Sequence, residues 1–131
     1  MSKPSLVFTK GEGMNAITIG MPLIKDLSVN HYKGRRRDGG EYVKKPVAKW
    51  MEDMGWILKP YHLEDWKLPL TVKCDIVQAD KRVRDCSNFA KVVLDSLEEL
   101  TGINDVNFRW VDGQILYGEH AELVITIMEG E

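Results

Sequence analysis

Apolar and polar residues alternate in three stretches of the chain. They are Ile17, Ile19 and Met21 in NAITIGMP (15–22), Leu70, Val72, Cys74 and Ile76 in LTVKCDIVQ (70–78), and Leu123, Ile125 and Ile127 in AELVITIME (121–129). A period of two puts every second side chain on one face, so each stretch predicts a strand with one buried side. Elsewhere the period lengthens. Val47, Trp50, Met51, Met54, Ile57 and Leu58 fall at helical spacing behind Pro46, a residue suited to a first helical turn. That predicts a helix from Pro46 to about Lys59, ended by Pro60. From Asp85, the residues Phe89, Val93, Leu97 and Leu100 share a second helical face, with Asn88, Lys91, Asp95 and Glu99 opposite and Gly102 as the C-terminal stop. INDVNFRWV (103–111) reads as a turn feeding a strand, and VDGQ (111–114) as a hairpin turn or bulge before the last strand. Residues 23–42 are polar and glycine-rich and read as a long basic loop, residues 60–69 as a linker, and residues 1–13 as a loose arm. The order β, loop, α, β, α, β, β predicts one α+β domain, a mixed sheet with helices on one face.

Composition narrows the class. The chain has 131 residues, 44% hydrophobic and 29% charged, with four tryptophans, which suits one folded domain and not a disordered segment. Net charge is −2 and the pI about 5.9, so the chain as a whole is not a basic nucleic-acid coat. Its positive charge is bunched, however, at Lys33-Gly34-Arg35-Arg36-Arg37 and at Lys81-Arg82-Val83-Arg84. Cys74 and Cys86 match no zinc spacing and make no disulfide framework, so a reducing, cytoplasmic setting is expected. No run approaches the length of a membrane span, and no membrane partner is expected.

The bunched chemistry centres on RVRDCSNFAKVVLDSLEEL (82–100). Two readings stand side by side. In one, Asp85 is a helix N-cap, Asn88 and Lys91 solubilise an exposed face, Asp95 pairs at helical spacing, and Asp105 is a turn residue. In the other, the same residues form a site. Asp85 and Asp105 would offer carboxylate oxygens to Mg²⁺, the helix N-terminus and Lys91 would face a phosphate, and the neighbouring arginines would hold a DNA backbone. Trp50, Trp56 and Trp66 are core residues or parts of a partner surface.

DKRVRDCSNFAKVVLDSLEELTGINDVNF resembles the core signature of the RusA family of Holliday junction resolvases. That signature is an arginine-rich lead, Asp-x-Asp-Asn, a following lysine and aspartate, a glycine turn and a pair of aspartates. Asp85, Asn88, Lys91, Asp95, Gly102 and Asp105 stand at its places. LSVNHYKG (27–34) resembles the family's N-terminal Pro-x-Ser-x-Asn-aromatic segment, and LVITIMEGE its last strand. The resemblance implies a homodimeric, often phage-encoded endodeoxyribonuclease that nicks four-way DNA junctions in pairs with Mg²⁺ or Mn²⁺. It implies a nucleoid-associated place in a bacterial or infected cell. By motif position Asp85 and Asp105 are the metal acids, Lys91 is the catalytic lysine, and Asn88 shapes the site. Lys33, Arg35, Arg36, Arg37, Lys81, Arg82, Arg84 and Asn30 are the expected DNA contacts. Two positions depart from the pattern: Ser87 stands where the family has its second acid, and Asn104 replaces the first aspartate of the pair. Asp75, and behind it Asp80, are the acids available to compensate. Without compensation, the expectation becomes a protein that grips junctions and does not cut them.

Overall fold

The computed structural model describes residues 6–11 and 14–130, and the first segment through its backbone alone. The strands are β1 (Leu6–Gly11), β2 (Met14–Pro22), β3 (Lys33–Arg35), β4 (Glu41–Val43), β5 (Leu70–Gln78), β6 (Phe108–Tyr117) and β7 (Glu122–Met128), and the helices are α1 (Lys45–Leu58) and α2 (Ala90–Thr101). They make one α+β domain. Five strands form a mixed sheet in the order β1-β2-β7-β5-β6, and β3 and β4 form a separate hairpin. Only β5 and β6, which flank α2 in the chain, run parallel. A parallel pair needs a crossover, and α2 is that crossover.

Alternation decides which face is buried. On β5, Leu70, Val72, Cys74, Ile76 and Gln78 are buried and the residues between them half-buried. Ile17, Ile19 and Met21 from β2 and Leu123, Ile125 and Ile127 from β7 join the same cluster. Val47, Trp50, Met51, Met54 and Leu58 of α1 and Val92, Val93 and Leu97 of α2 complete it, so the helices cover this face. Each such aliphatic side chain contributes roughly 1.5–3 kcal/mol relative to exposure. Gly102 ends α2 at φ +73°, a left-handed turn that glycine adopts without a Cβ clash.

Four expectations are corrected. Leu6–Gly11 pairs antiparallel with β2 and is no loose arm; residues 1–5 and 12–13 of that arm lie outside the described residues. The basic loop contains the β3–β4 hairpin, in which the Tyr42 ring lies against Gly34 so closely that a Cβ there would sit 2.5 Å from it. Of the two forms expected of VDGQ, the bulge holds and the hairpin turn into the last strand does not. VDGQ lies inside β6 as a bulge opposite Asp75, and β6 pairs with β5 and not with β7. The buried stripe of α2 includes Val92 and Ser96, whose hydroxyl donates to the Val92 carbonyl at 2.7 Å, while Leu100 is half-exposed.

Candidate functional site

The connection from β5 to α2 is built around a polar residue at the end of an apolar register. Gln78 is buried, and its amide donates to the carbonyls of Asp80 (3.2 Å) and Arg82 (3.0 Å). The Arg84 guanidinium donates to the Gln78 carbonyl oxygen (3.1 Å) and to both Asp80 oxygens (2.7 and 3.2 Å). This clamp holds the Asp80 carboxyl down to about 2, first through the Arg84 bond and then through the Arg82 N–H. Arg84 is therefore committed to the loop, and Asp80 to Arg84. Lys81 and Arg82 are exposed beside the clamp, and Arg82 adds a small electrostatic pull on Asp80.

Asp85 follows the clamp. Its backbone is extended and its carboxylate accepts the Ser87 N–H at 3.1 Å, capping the 3-10 turn Cys86–Phe89 that leads into α2. One carboxylate oxygen is used in this cap and the other is free for a ligand. Cys86 is buried behind it, and burial raises its thiol; Asp112, Asp75 and Asp85 all raise it further. Burial also pushes the Cys74 thiol up to about 12, so both cysteines stay neutral and inert. Asp75 projects from the face of β5 opposite Cys74, away from the helices. Its Oδ1 accepts the Gln114 N–H in the β6 bulge at 2.7 Å and faces Lys73 at 4.0 Å. A Cβ on Gly113 would lie 1.9 Å from that oxygen, so the glycine makes room for the acid. Asp75 is thus engaged with the β6 bulge, and both it and Asp85 act on the Cys86 thiol that lies against Gly113.

Asp105 lies beyond the other end of α2, exposed in a 3-10 turn capped by Asn104, which accepts the Val106 N–H at 3.1 Å. It reaches Lys91 electrostatically and helps raise that ammonium, after the dominant hydrogen bond from Lys91 to Asp95. Among the described residues, the group of three ligand atoms within 4.8 Å of one another is His62, Glu64 and Asp65, all exposed; Asp75, Asp85 and Asp105 do not form such a group. Asp85 and Asp105 are both exposed carboxylates. Magnesium takes carboxylate oxygens and is commonly held by one or two carboxylates together with substrate phosphate.

The basic residues converge better than the acids do. A cleft of about 430 Å³ opens between the β3–β4 hairpin and the first turn of α2, lined by Asn30, Tyr32, Lys33, Arg35, Glu41 and Lys91 among others. Tyr32 anchors it. The ring is buried, and its hydroxyl donates to Asp95 Oδ2 at 2.9 Å while Lys91 Nζ donates to Asp95 Oδ1 at 3.0 Å. Burial and the Asp95 bond raise the Tyr32 phenol well beyond its ordinary value, so it stays protonated. Asp95 thus holds the loop and the lysine together. An ammonium carries three donors, so Lys91 keeps two for another ligand. Lys33 meets Glu41 at 3.8 Å, while Arg35, Arg36 and Arg37 have no carboxylate partner among the described residues. The Val29 N–H donates to the Asn88 carbonyl at 2.8 Å, which ties the Asn30 loop to the turn behind Asp85.

Gln78, Glu41 and Asp112 belong to this region and were not singled out from the sequence. Gln78 carried a signal, a polar side chain at a core position of a strand. No helix among the described residues is long and apolar enough to cross a membrane. Comparison with known families finds no family model that matches the chain, and comparison with curated proteins finds no match.

Proposed function

We propose that this protein is a Mg²⁺-dependent endodeoxyribonuclease that binds four-way DNA junctions as a homodimer in the cytoplasm and nicks them in pairs. The observation that carries the reading is the cleft in which Asn30, Lys33, Arg35 and Lys91 meet, joined to the turn after Asp85 by the Val29–Asn88 hydrogen bond. Backbone phosphates are the ligand that such a lining recognises without base information. Arg36 and Arg37 at the hairpin tip, and Lys81 and Arg82 on the loop after β5, are the further cations of this reading. Arg84 acts as a support for that loop.

Within the cleft, Lys91 serves as a charge and not as a base. Asp95 raises it and fixes its position, so it presents N–H donors to the oxygens of a phosphate as negative charge builds. Asp85 and Asp105 would hold the metal, with Mn²⁺ as a substitute. The ion, when bound, would acidify a water and polarise the phosphoryl group.

A second reading is favoured by Ser87, a neutral hydroxyl where the resembled family has an acid, and by the engagement of the Asp75 carboxylate with the Gln114 N–H of the β6 bulge. In that reading the protein grips junctions and does not cut them. Incubating a labelled synthetic four-way junction with Mg²⁺, then Mn²⁺, beside a linear duplex separates the two. Paired nicks abolished by Asp85→Asn, and slowed ~100-fold by Lys91→Gln with binding retained, are expected for the nuclease. Tight binding without nicks, with cutting gained by Ser87→Asp, would establish the second reading. Equal affinity for junction and duplex would dismiss both.

A further inference from the structure

The loop after β5 holds cations and an apolar side chain together in solvent. Lys81 and Arg82 are exposed, and Val83, the next residue, is 96% exposed. Gln78 fixes this loop by donating to the Asp80 and Arg82 carbonyls, and Arg84 folds back onto Gln78 and Asp80. Tyr117, at the end of β6, is the register partner of Gln78. Partners in neighbouring strands point to the same face from backbones about 4.8 Å apart. The Tyr117 ring therefore rises from the sheet beside the side chain that anchors the loop, and it is 71% exposed. Ile115, two positions earlier on the same face, is 41% exposed and extends the apolar surface. The Gly118 N–H donates to the Gln78 carbonyl at 3.1 Å, so the backbone under the ring is fixed.

The core makes no use of this ring, since most of its surface stays in water. Cations alone would take any phosphate. An aromatic face beside them adds a surface on which a base can lie, because every nucleobase has a π-face and carries its phosphate along. The faces of a paired base are covered by its neighbours in the stack. Such a platform therefore takes a base that has left the stack. The charges around the ring agree with a ligand that brings phosphates. Asp80, the acid within the loop, is held by Arg84, and Glu119 stands in the turn between β6 and β7. Lys81 and Arg82 are left on the solvent side.

We infer that Tyr117 is a stacking platform for an unpaired DNA base, with Lys81 and Arg82 holding the phosphates that flank it. The inference rests on the DNA reading above and deepens it. Phosphate contacts position DNA without reading its bases. A platform of this kind responds to a feature that branched, gapped or bulged DNA has and an intact duplex lacks.

Fluorescence anisotropy of the full chain with labelled DNA tests it. One duplex carries a single unpaired adenine, a second carries an abasic residue at that position, and a third is fully paired. A four-way junction is measured beside them. The native chain is expected to bind the unpaired adenine ~10-fold more tightly than the abasic duplex, as stacking of one base on an aromatic ring does. Tyr117→Ala should erase that preference and leave the affinity for the abasic duplex as it was. Tyr117→Trp should keep the preference, which separates stacking from any loss of fold. Lys81→Glu with Arg82→Glu should weaken binding to all the duplexes by a similar factor. A native chain indifferent to the unpaired base, or a Tyr117→Ala variant weakened equally on every DNA, would overturn the inference. Junction affinity keeps the two proposals apart. Junction binding with no base preference defeats the platform alone, and a base preference with no preference for the junction defeats the junction reading alone. Binding to none of these DNAs defeats both.

Discussion

Two hollows of nearly equal size, about 430 and 490 Å³, flank α2, and they share their building elements. Lys91, held by Asp95, lines one, while Ser96, Glu99 and Leu100 line the other; Glu41 of β4 lines the first and Val43 the second. Size therefore says little about what either receives. The helical period deals alternate positions of one short segment to two sides, and the chemistry follows from the side. One lining is polar and cationic, suited to phosphate. The other is apolar with the two glutamates Glu52 and Glu99 at its rim.

Reversing charge on the first side should break the comparison most sharply. Lys33→Glu with Arg35→Glu is expected to lower junction affinity ~100-fold at moderate salt and to flatten its dependence on salt concentration, because phosphate contacts release counterions. The dimer measured by sedimentation should be unchanged. Fluorescence anisotropy across a salt series reads the effect, and an unchanged slope would place the DNA elsewhere.

Tyr32→Phe probes the link between hairpin and helix. It removes the hydroxyl that donates to Asp95, so unfolding in urea should show a loss of roughly 1.5–3 kcal/mol, the range for a hydrogen bond to a charged group. A variant as stable as the native chain would mean that the hairpin is positioned by its backbone alone.

The smallest effect concerns the Asp80–Arg84 clamp. The folded carboxyl sits at about 2, below its ordinary 3.8. A depressed acid stabilises the fold fully above its unfolded value and loses that contribution as pH falls through the folded one. The difference in melting temperature between the native chain and Asp80→Asn should therefore be constant at neutral pH and close between pH ~4 and ~2. A difference that does not change over this window would remove the clamp as a titrating element.

Much of the frame was legible because it rests on local periodicity. The alternation in LTVKCDIVQ marks β5 at its observed bounds, and the spacing behind Pro46 marks α1. The hairpin was not legible, since Lys33-Gly34-Arg35 has no apolar alternation and its geometry comes from the Tyr42 ring covering Gly34. Asp-Gly in VDGQ carries a turn signal, yet Gly113 is there to admit the Asp75 carboxylate, a contact 38 positions away in the chain. In the candidate site, the Lys91–Asp95 pair follows from helical spacing. Its third member, Tyr32, lies 63 residues from Asp95 and only the tertiary fold joins them. Arg84 shows the opposite case, a basic residue in a basic run whose charge is spent within its own loop.

The β3–β4 hairpin joins the domain near its base. Tyr32 is buried there, Lys44 donates its N–H to the Tyr32 carbonyl at 3.0 Å, and the Lys44 ammonium meets Asp26 at 3.7 Å. Beyond that root, the Arg36–Gly40 tip closes on itself through Arg36–Gly40 and Gly40–Asp38 hydrogen bonds. Root and tip are thus separable modules. The tip can be lengthened, recoloured in charge or exchanged for another loop while the core below remains the same, so its reach toward a ligand is open to revision without refolding the domain that carries it.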